Sequence, residues 1–229
     1  MGDIFLRPHL ERPWLIADLG APMRVLSFAP YRPGFVTARH IVWRELKNAD
    51  LPVGLEVDDW IGPEMARAGH VDAVGLLTSR NITKFKRSEA TVEDARVAAL
   101  ATVGLGNAER IGARTPRDWA VETYGTINIA VQTDTPLIEA AQIEALTIAA
   151  QARTAAVMEA GLRFTGGPVT GTGTDCIALA APAGSGAYAG LHTALGEAIG
   201  RAVYNAVAEG AAEWVRENPV MMRKVFGGA

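Results

Sequence analysis

The chain has 229 residues, of which 49% are hydrophobic and 21% charged, and its net charge is −3. That length and balance fit one soluble globular domain, 1–229, with a core large enough to stand without disulfide staples. The charge gives no electrostatic reason for a nucleic-acid or anionic-membrane partner, and no apolar run is long enough to cross a bilayer.

The N-terminus, MGDIFLRPHLERPW, lacks the cationic-then-apolar order of a signal peptide and the Ser/Thr that myristoylation would want. The first third then reads as sheet. WLIADLG (14–20), MRVLSFAP (23–30) and GFVTARHIVWREL (34–46) are taken as consecutive strands, with turns at Pro22 and at Pro30–Gly34. Asp58 or Asp59 is expected to cap a short helix through Trp60–Ala68 that Gly69 closes. VGLLTS (74–79) is strand-like, and the dense cationic run Lys84–Arg87 reads as a solvated surface. RVAALATVGL (96–105) is nearly all apolar after its Arg, as a strand covered on both faces would be.

TINIAVQT (126–133) alternates. Ile127, Ile129 and Val131 share one face, expected to be core; Thr126, Asn128, Ala130 and Gln132 share the other, open to water or to a pocket. Thr135–Pro136 predicts a helix start, a capping hydroxyl followed by proline, and the helix runs to about Ala160 with Gly161 as its stop. It is Ala-rich on nearly every side, so it is expected between layers. DCIALAAP gives one more strand, and its Cys176 reads as a small buried thiol. As the single cysteine, it allows no internal disulfide and suits a reducing, cytoplasmic compartment. A last long helix starts near His192 and ends before Asn218–Pro219. Gly196, Gly200 and Gly210 inside it cost about 1 kcal/mol each against Ala, which argues for close packing. Many strands followed by two long helices make an α+β fold, with a largely antiparallel sheet and the helices on one face.

Several chemistries have no sequence support. No Gly-Lys-Ser/Thr closes a phosphate loop, both short Gly-x-Gly pieces lack the third glycine of a dinucleotide fingerprint, and there is no Gly-x-Ser-x-Gly elbow. His9, His40, His70 and His192 stand far apart, so no metal site is expected. The polar, glycine-bound segments remain. In VTGTGTD, Thr170, Thr172 and Thr174 alternate with glycines before Asp175. Such a loop is either a self-bonded turn or a place where backbone N–H groups and a hydroxyl meet a reacting carbonyl. Asn107, in GLGNAERIG, reads as a left-handed turn or a ligand contact, and Asn128 as a structural hydrogen-bonder or a donor to substrate. Glu197 and Arg201 are spaced for a helix ion pair, with Glu197 also a candidate general base.

Six segments together resemble the adenosylcobinamide amidohydrolase family: VGLLTS (74–79), VGLGNAERIG (103–112), GTINIAV (125–131), QARTAA (151–156), VTGTGTDCIALA (169–180) and YAGLHTALGEAIGRAV (188–203). They span most of the chain from residue 74; the N-terminal third matches less clearly. The family's Glu-Ala-Lys-Thr step reads Gln151-Ala152-Arg153-Thr154 here. The resemblance implies cleavage of the amide joining aminopropanol to the corrin ring, giving adenosylcobyric acid in corrinoid salvage, a step of cobalamin biosynthesis. The corrinoid, with its cobalt, would be substrate; no cofactor is implied. The order GTINIAV, long helix, Gly171-Thr172-Gly173 is also similar to the DmpA aminopeptidase and ornithine acetyltransferase superfamily, in which a glycine-flanked Ser or Thr is the nucleophile.

These readings set the expectations. Thr172 or Thr174 attacks, and Asp175 or Glu197 handles the proton. Asn107, Asn128, Gly171, Gly173 and Thr193 contact the substrate. The alternatives are a corrinoid carrier or sensor that does not cleave, and a general DmpA-like amidase acting on peptides. The Ala/Gly-rich helices would suit a homo-oligomer.

Overall fold

The computed structural model describes residues 5–47, 50, 56–113 and 125–221. In chain order they form β1 (Arg7–Glu11), β2 (Trp14–Ser27), β3 (Gly34–Glu45), α1 (Val57–Arg67), β4 (Val74–Thr78), β5 (Lys86–Val92), β6 (Ala95–Val103) and β7 (Ala108–Glu109). There follow β8 (Ile127–Thr133), α2 (Glu139–Glu159), β9 (Arg163–Phe164), β10 (Gly167–Pro168), β11 (Gly171–Thr172), β12 (Cys176–Ala181) and α3 (Ala194–Glu217). The main sheet has the order β4-β3-β2-β12-β8-β6-β5, with β1 on β2. Two neighbouring pairs, β3 with β4 and β8 with β12, are parallel, and the others are antiparallel. The fold is α+β with a largely antiparallel, mixed sheet, as the element order implied.

Alternation along the central strands assigns one set of side chains to each face. Ile127, Ile129 and Val131 on β8, with Ile177 and Leu179 on β12, meet α2 and α3 in one apolar core. That burial is the main stabilising term for the helix layer, at about 25 cal/mol per Å² of apolar surface removed from water. The opposite face is not open. β2 loses its register between Asp18 and Met23, where Gly20 has φ +82°, and such an irregularity sharpens a strand's bend. The sheet rolls over β8, so that Asn128 Nδ2 donates to the Leu77 carbonyl at 2.6 Å and Gln132 Nε2 to the Leu19 carbonyl at 3.0 Å. Leu15, Trp43, Leu76, Leu100 and Cys176 fill the inside of the roll. The polar face of β8 is therefore buried against protein rather than facing water.

The N-terminal strands read as 14–20 and 23–30 are one long strand, β2. The exposed strand β1 and the edge strand β5 carry too few apolar residues to be read from periodicity. The cationic run is engaged as well. Lys84 pairs with Glu213 and Glu217, Lys86 with Glu209 and Glu213, and Arg87 donates to the carbonyls of Phe5 and Leu6. Together with Arg80, these residues fasten the last turns of α3 to the β5 edge.

Helix starts also differ from the sequence reading. α1 begins at Val57, after Glu56, with no side-chain cap. α2 begins at Glu139 rather than after Thr135–Pro136. Leu137 N–H donates to the Pro182 carbonyl and its own carbonyl accepts from Gly184, which holds the chain extended through Pro136. α2 is an outer helix: Ala141, Ala145, Ala149, Ala152 and Ala156 face the core, while Ile143, Gln151 and Met158 face solvent. On α3, a Cβ at Gly196 would lie 2.1 Å from the Gly190 carbonyl oxygen, and one at Gly210 would lie 2.7 Å from Val103 Cγ2. Gly200 has open space, so packing explains two of the three glycines. No helix among the described residues is long and apolar enough to cross a membrane.

Candidate active site

The parallel pair β8–β12 brings together two strand starts that are far apart in sequence. Asp175 lies just before β12, beside Ile127 at the head of β8, and its Oδ1 accepts the Ile127 N–H at 3.1 Å. The preceding residues Gly171–Thr172 form β11, antiparallel to β7, so the glycine-threonine loop is held against the GLGN segment. Asn107 clasps it twice. Its carbonyl accepts the Gly173 N–H at 3.1 Å, and its Nδ2 donates to Thr174 Oγ1 at 3.1 Å. Thr126 Oγ1 donates to the Thr174 carbonyl at 2.7 Å. A Cβ at Gly125 would lie 2.6 Å from the Gly106 nitrogen, so only glycine lets the head of β8 approach this turn.

Asp175 is the hub. Its Oδ1 accepts from Ile127 N–H and from the Thr172 hydroxyl; its Oδ2 accepts from Thr172 N–H at 2.9 Å and from Arg153 Nη1 on α2. The side chain is 8% exposed. Four donors occupy the four lone-pair sites of a carboxylate, leaving none for a water. Burial lowers the Arg153 guanidinium below its ordinary value, but an arginine keeps its charge. Gly171 makes the ion pair possible, because a Cβ there would lie 2.2 Å from Arg153 Nη1 and 2.6 Å from Asp175 Oδ2.

The two candidate nucleophiles separate here. Thr174 is exposed, and its hydroxyl accepts from Asn107 and donates to the Gly125 carbonyl at 3.4 Å, so its proton rests on a backbone carbonyl and not on a carboxylate. Thr172 is half-buried. Its hydroxyl hydrogen points at Asp175 and its oxygen accepts nothing among the described residues. A threonine oxygen whose proton rests on a carboxylate is the arrangement expected of an activated hydroxyl.

Not every expected contact residue reaches this loop. Asn128 is 1% exposed inside the roll, with its amide nitrogen on Leu77 and its oxygen near Thr126, so it braces the site from beneath. Thr193 and Glu197 lie at the other end of the helix layer. The Thr193 hydroxyl caps α3 by accepting from Gly196 N–H, and exposed Glu197 pairs with Arg201. Gly210, thirteen residues after Glu197 and therefore about 20 Å along the helix, is the part of α3 beside Val103, whose β8 partner is Ile127. Sequence proximity of Glu197 to the loop is undone by the intervening strand β12, which carries the chain away from it. An open groove of about 370 Å³ between α2 and α3 collects none of the catalytic candidates.

Sequence reasoning named Arg153, Thr126 and Thr170 but gave them no site role; the Thr170 hydroxyl accepts from Ile111 N–H at 2.7 Å. The signal for Arg153 was its charge in an otherwise Ala-rich stretch next to core positions. Burial pushes the Cys176 thiol up to about 12, which rules it out as a nucleophile near neutrality. Among the described residues, no group of three His, Cys, Asp or Glu is placed to hold a metal ion.

A family model described as adenosylcobinamide amidohydrolase matches residues 4–219. No curated protein matches the chain. One solved structure, the PH0078 protein from Pyrococcus horikoshii OT3, aligns with a TM-score of 0.42 and 11% identity over 90% of this chain and 79% of its own. The weaker likeness to the DmpA superfamily is not confirmed by these matches.

Proposed function

The chain belongs to the adenosylcobinamide amidohydrolase family, and we propose that it hydrolyses the amide between aminopropanol and the corrin ring, releasing adenosylcobyric acid and aminopropanol in the cytoplasm. Membership makes it an amidohydrolase; the particular bond and product are our reading. The observation that carries it is the match across residues 4–219. The loop supplies a chemistry that fits.

Thr172 Oγ1 attacks the amide carbonyl carbon as its proton passes to Asp175 Oδ1. The backbone N–H of Thr174, which carries no bond among the described residues, is available to the developing oxyanion. Collapse breaks the C–N bond, and the proton held by Asp175 goes to the leaving amine. Water then attacks the threonyl ester, its proton passes through Asp175 to Thr172, and the corrinoid acid leaves. The sum is amide plus water to acid plus amine. Direct attack on the amide by a water held on Asp175 is disfavoured, since the carboxylate has no lone pair free to hold it. The corrin's cobalt stays with the substrate throughout.

The test is incubation of the purified protein with adenosylcobinamide, followed by mass spectrometry for adenosylcobyric acid and free aminopropanol. Release of both supports the reading. Tight corrinoid binding without release would make the protein a carrier, and a folded Thr172→Ala protein with full turnover would remove the threonyl ester.

A further inference from the structure

We infer that Arg153 is a positioning residue for this amide cleavage, acting through Asp175 on the Thr172 hydroxyl. The inference rests on the proposed role of Thr172. Arg153 comes from α2, outside the loop, and its hydrogen bond runs to Asp175 rather than to the Thr172 hydroxyl. Its guanidinium holds Asp175 Oδ2, the same oxygen that accepts Thr172 N–H, while Asp175 Oδ1 holds the Thr172 hydroxyl. The carboxylate plane is thereby fixed from one side by Arg153 and from the other by Thr172 and Ile127.

Two features of this pair bear on its role. Gly171 is bare at the contact, and any side chain there would push the partners apart. Arg153 Nε is buried without a hydrogen-bond partner among the described residues. A desolvated ion pair adds little net stability, and an unmatched buried donor subtracts from it. An arginine kept under those terms beside a half-buried hydroxyl is explained by what it does to the carboxylate. It holds Asp175 in one orientation. The other charged residues on elements packed around Asp175 include Glu109 on β7, Arg110 beside it, whose guanidinium donates to the Pro168 carbonyl at 3.1 Å, and Glu139, Glu144 and Glu159 on α2.

The experiment measures release of aminopropanol from adenosylcobinamide against pH for the wild type, Arg153→Met, Arg153→Lys and Gly171→Ala. Arg153→Met is expected to lower kcat by about 30-fold or more with KM within about threefold, the signature of a lost transition-state alignment. Loss of the neighbouring cation should move its acid limb to higher pH. Arg153→Lys keeps the charge and should restore most of kcat and the acid limb. Gly171→Ala forces the pair apart without removing a charge and should show the same signature as Arg153→Met; it serves if that variant does not fold. A folded Arg153→Met protein with wild-type kcat and an unmoved acid limb overturns this inference alone. A wild type that releases no aminopropanol overturns the proposed function and this inference with it.

Discussion

Thr172 lies between Gly171 and Gly173 and Thr193 between His192 and Ala194, at opposite ends of the helix layer, and they do different work. The Thr193 hydroxyl donates to the Gly190 carbonyl and accepts from Gly196 N–H, so the helix start uses both of its capacities. The Thr172 hydroxyl donates to a buried carboxylate, and its accepting side is left over. Residue type alone does not separate the two. The hydroxyl's partner does: for Thr172 it is a buried carboxylate three residues on, held from α2 by Arg153.

Substitutions at the two ends turn that contrast into numbers. Thr172→Ala should lower kcat/KM by about 10³-fold or more, equivalent to about 4 kcal/mol of barrier, while the folded state is little changed; aminopropanol release and urea unfolding on one preparation check both halves. At the far end, Gly196→Ala drives a methyl into the Gly190 backbone and should cost at least about 2 kcal/mol of stability, as overpacking does, with a lower urea midpoint as the readout.

Cys176, next to the loop, tests how dry the inside of the roll is. Below pH 9 the thiol is protonated both folded and unfolded and contributes no pH dependence. Above that, the unfolded chain releases its proton while the folded chain keeps it up to about 12. The unfolded state gains, and stability should fall by about 1.4 kcal/mol per pH unit in that window. Cys176→Ala should lack this component, so the difference between the two proteins' unfolding curves from pH 9 to 11 isolates it. Parallel slopes would mean that water reaches the sulfur.

The smallest effects belong to α3. Thr193→Ala should cost about 1 kcal/mol through the lost cap. Gly200→Ala, where a Cβ meets nothing, should instead stabilise by about 1 kcal/mol from helix propensity. Opposite shifts in melting temperature for Gly196→Ala and Gly200→Ala would confirm that packing, and not glycine content, governs this helix.

The legible parts of the fold were those with strong local periodicity. β8, β6 and β12 were visible from alternation or apolar runs, and α2 and α3 from length, although the start of α2 was misplaced because Leu137 bonds to Pro182 and Gly184. β1 and β5 escaped because exposed or edge strands bury too little to show a period. Among the site residues, Thr172, Thr174 and Asp175 stood in one visible motif. Arg153 and Asp175 are 22 residues apart and Asn107 and Thr174 are 67 apart, contacts that no local spacing encodes.

From its sequence alone this protein settled its α+β class, its family likeness and the loop on which to look for chemistry, because hydrophobic period and short motifs are written in neighbouring residues. Only the folded chain decided that the polar face of β8 is roofed by β2 and β4, that Glu197 lies far from the loop, and that the hydroxyl of Thr172, unlike that of Thr174, rests on a carboxylate. Those outcomes depend on strand order and on which donors reach Asp175, and both are fixed by packing between segments far apart in the chain.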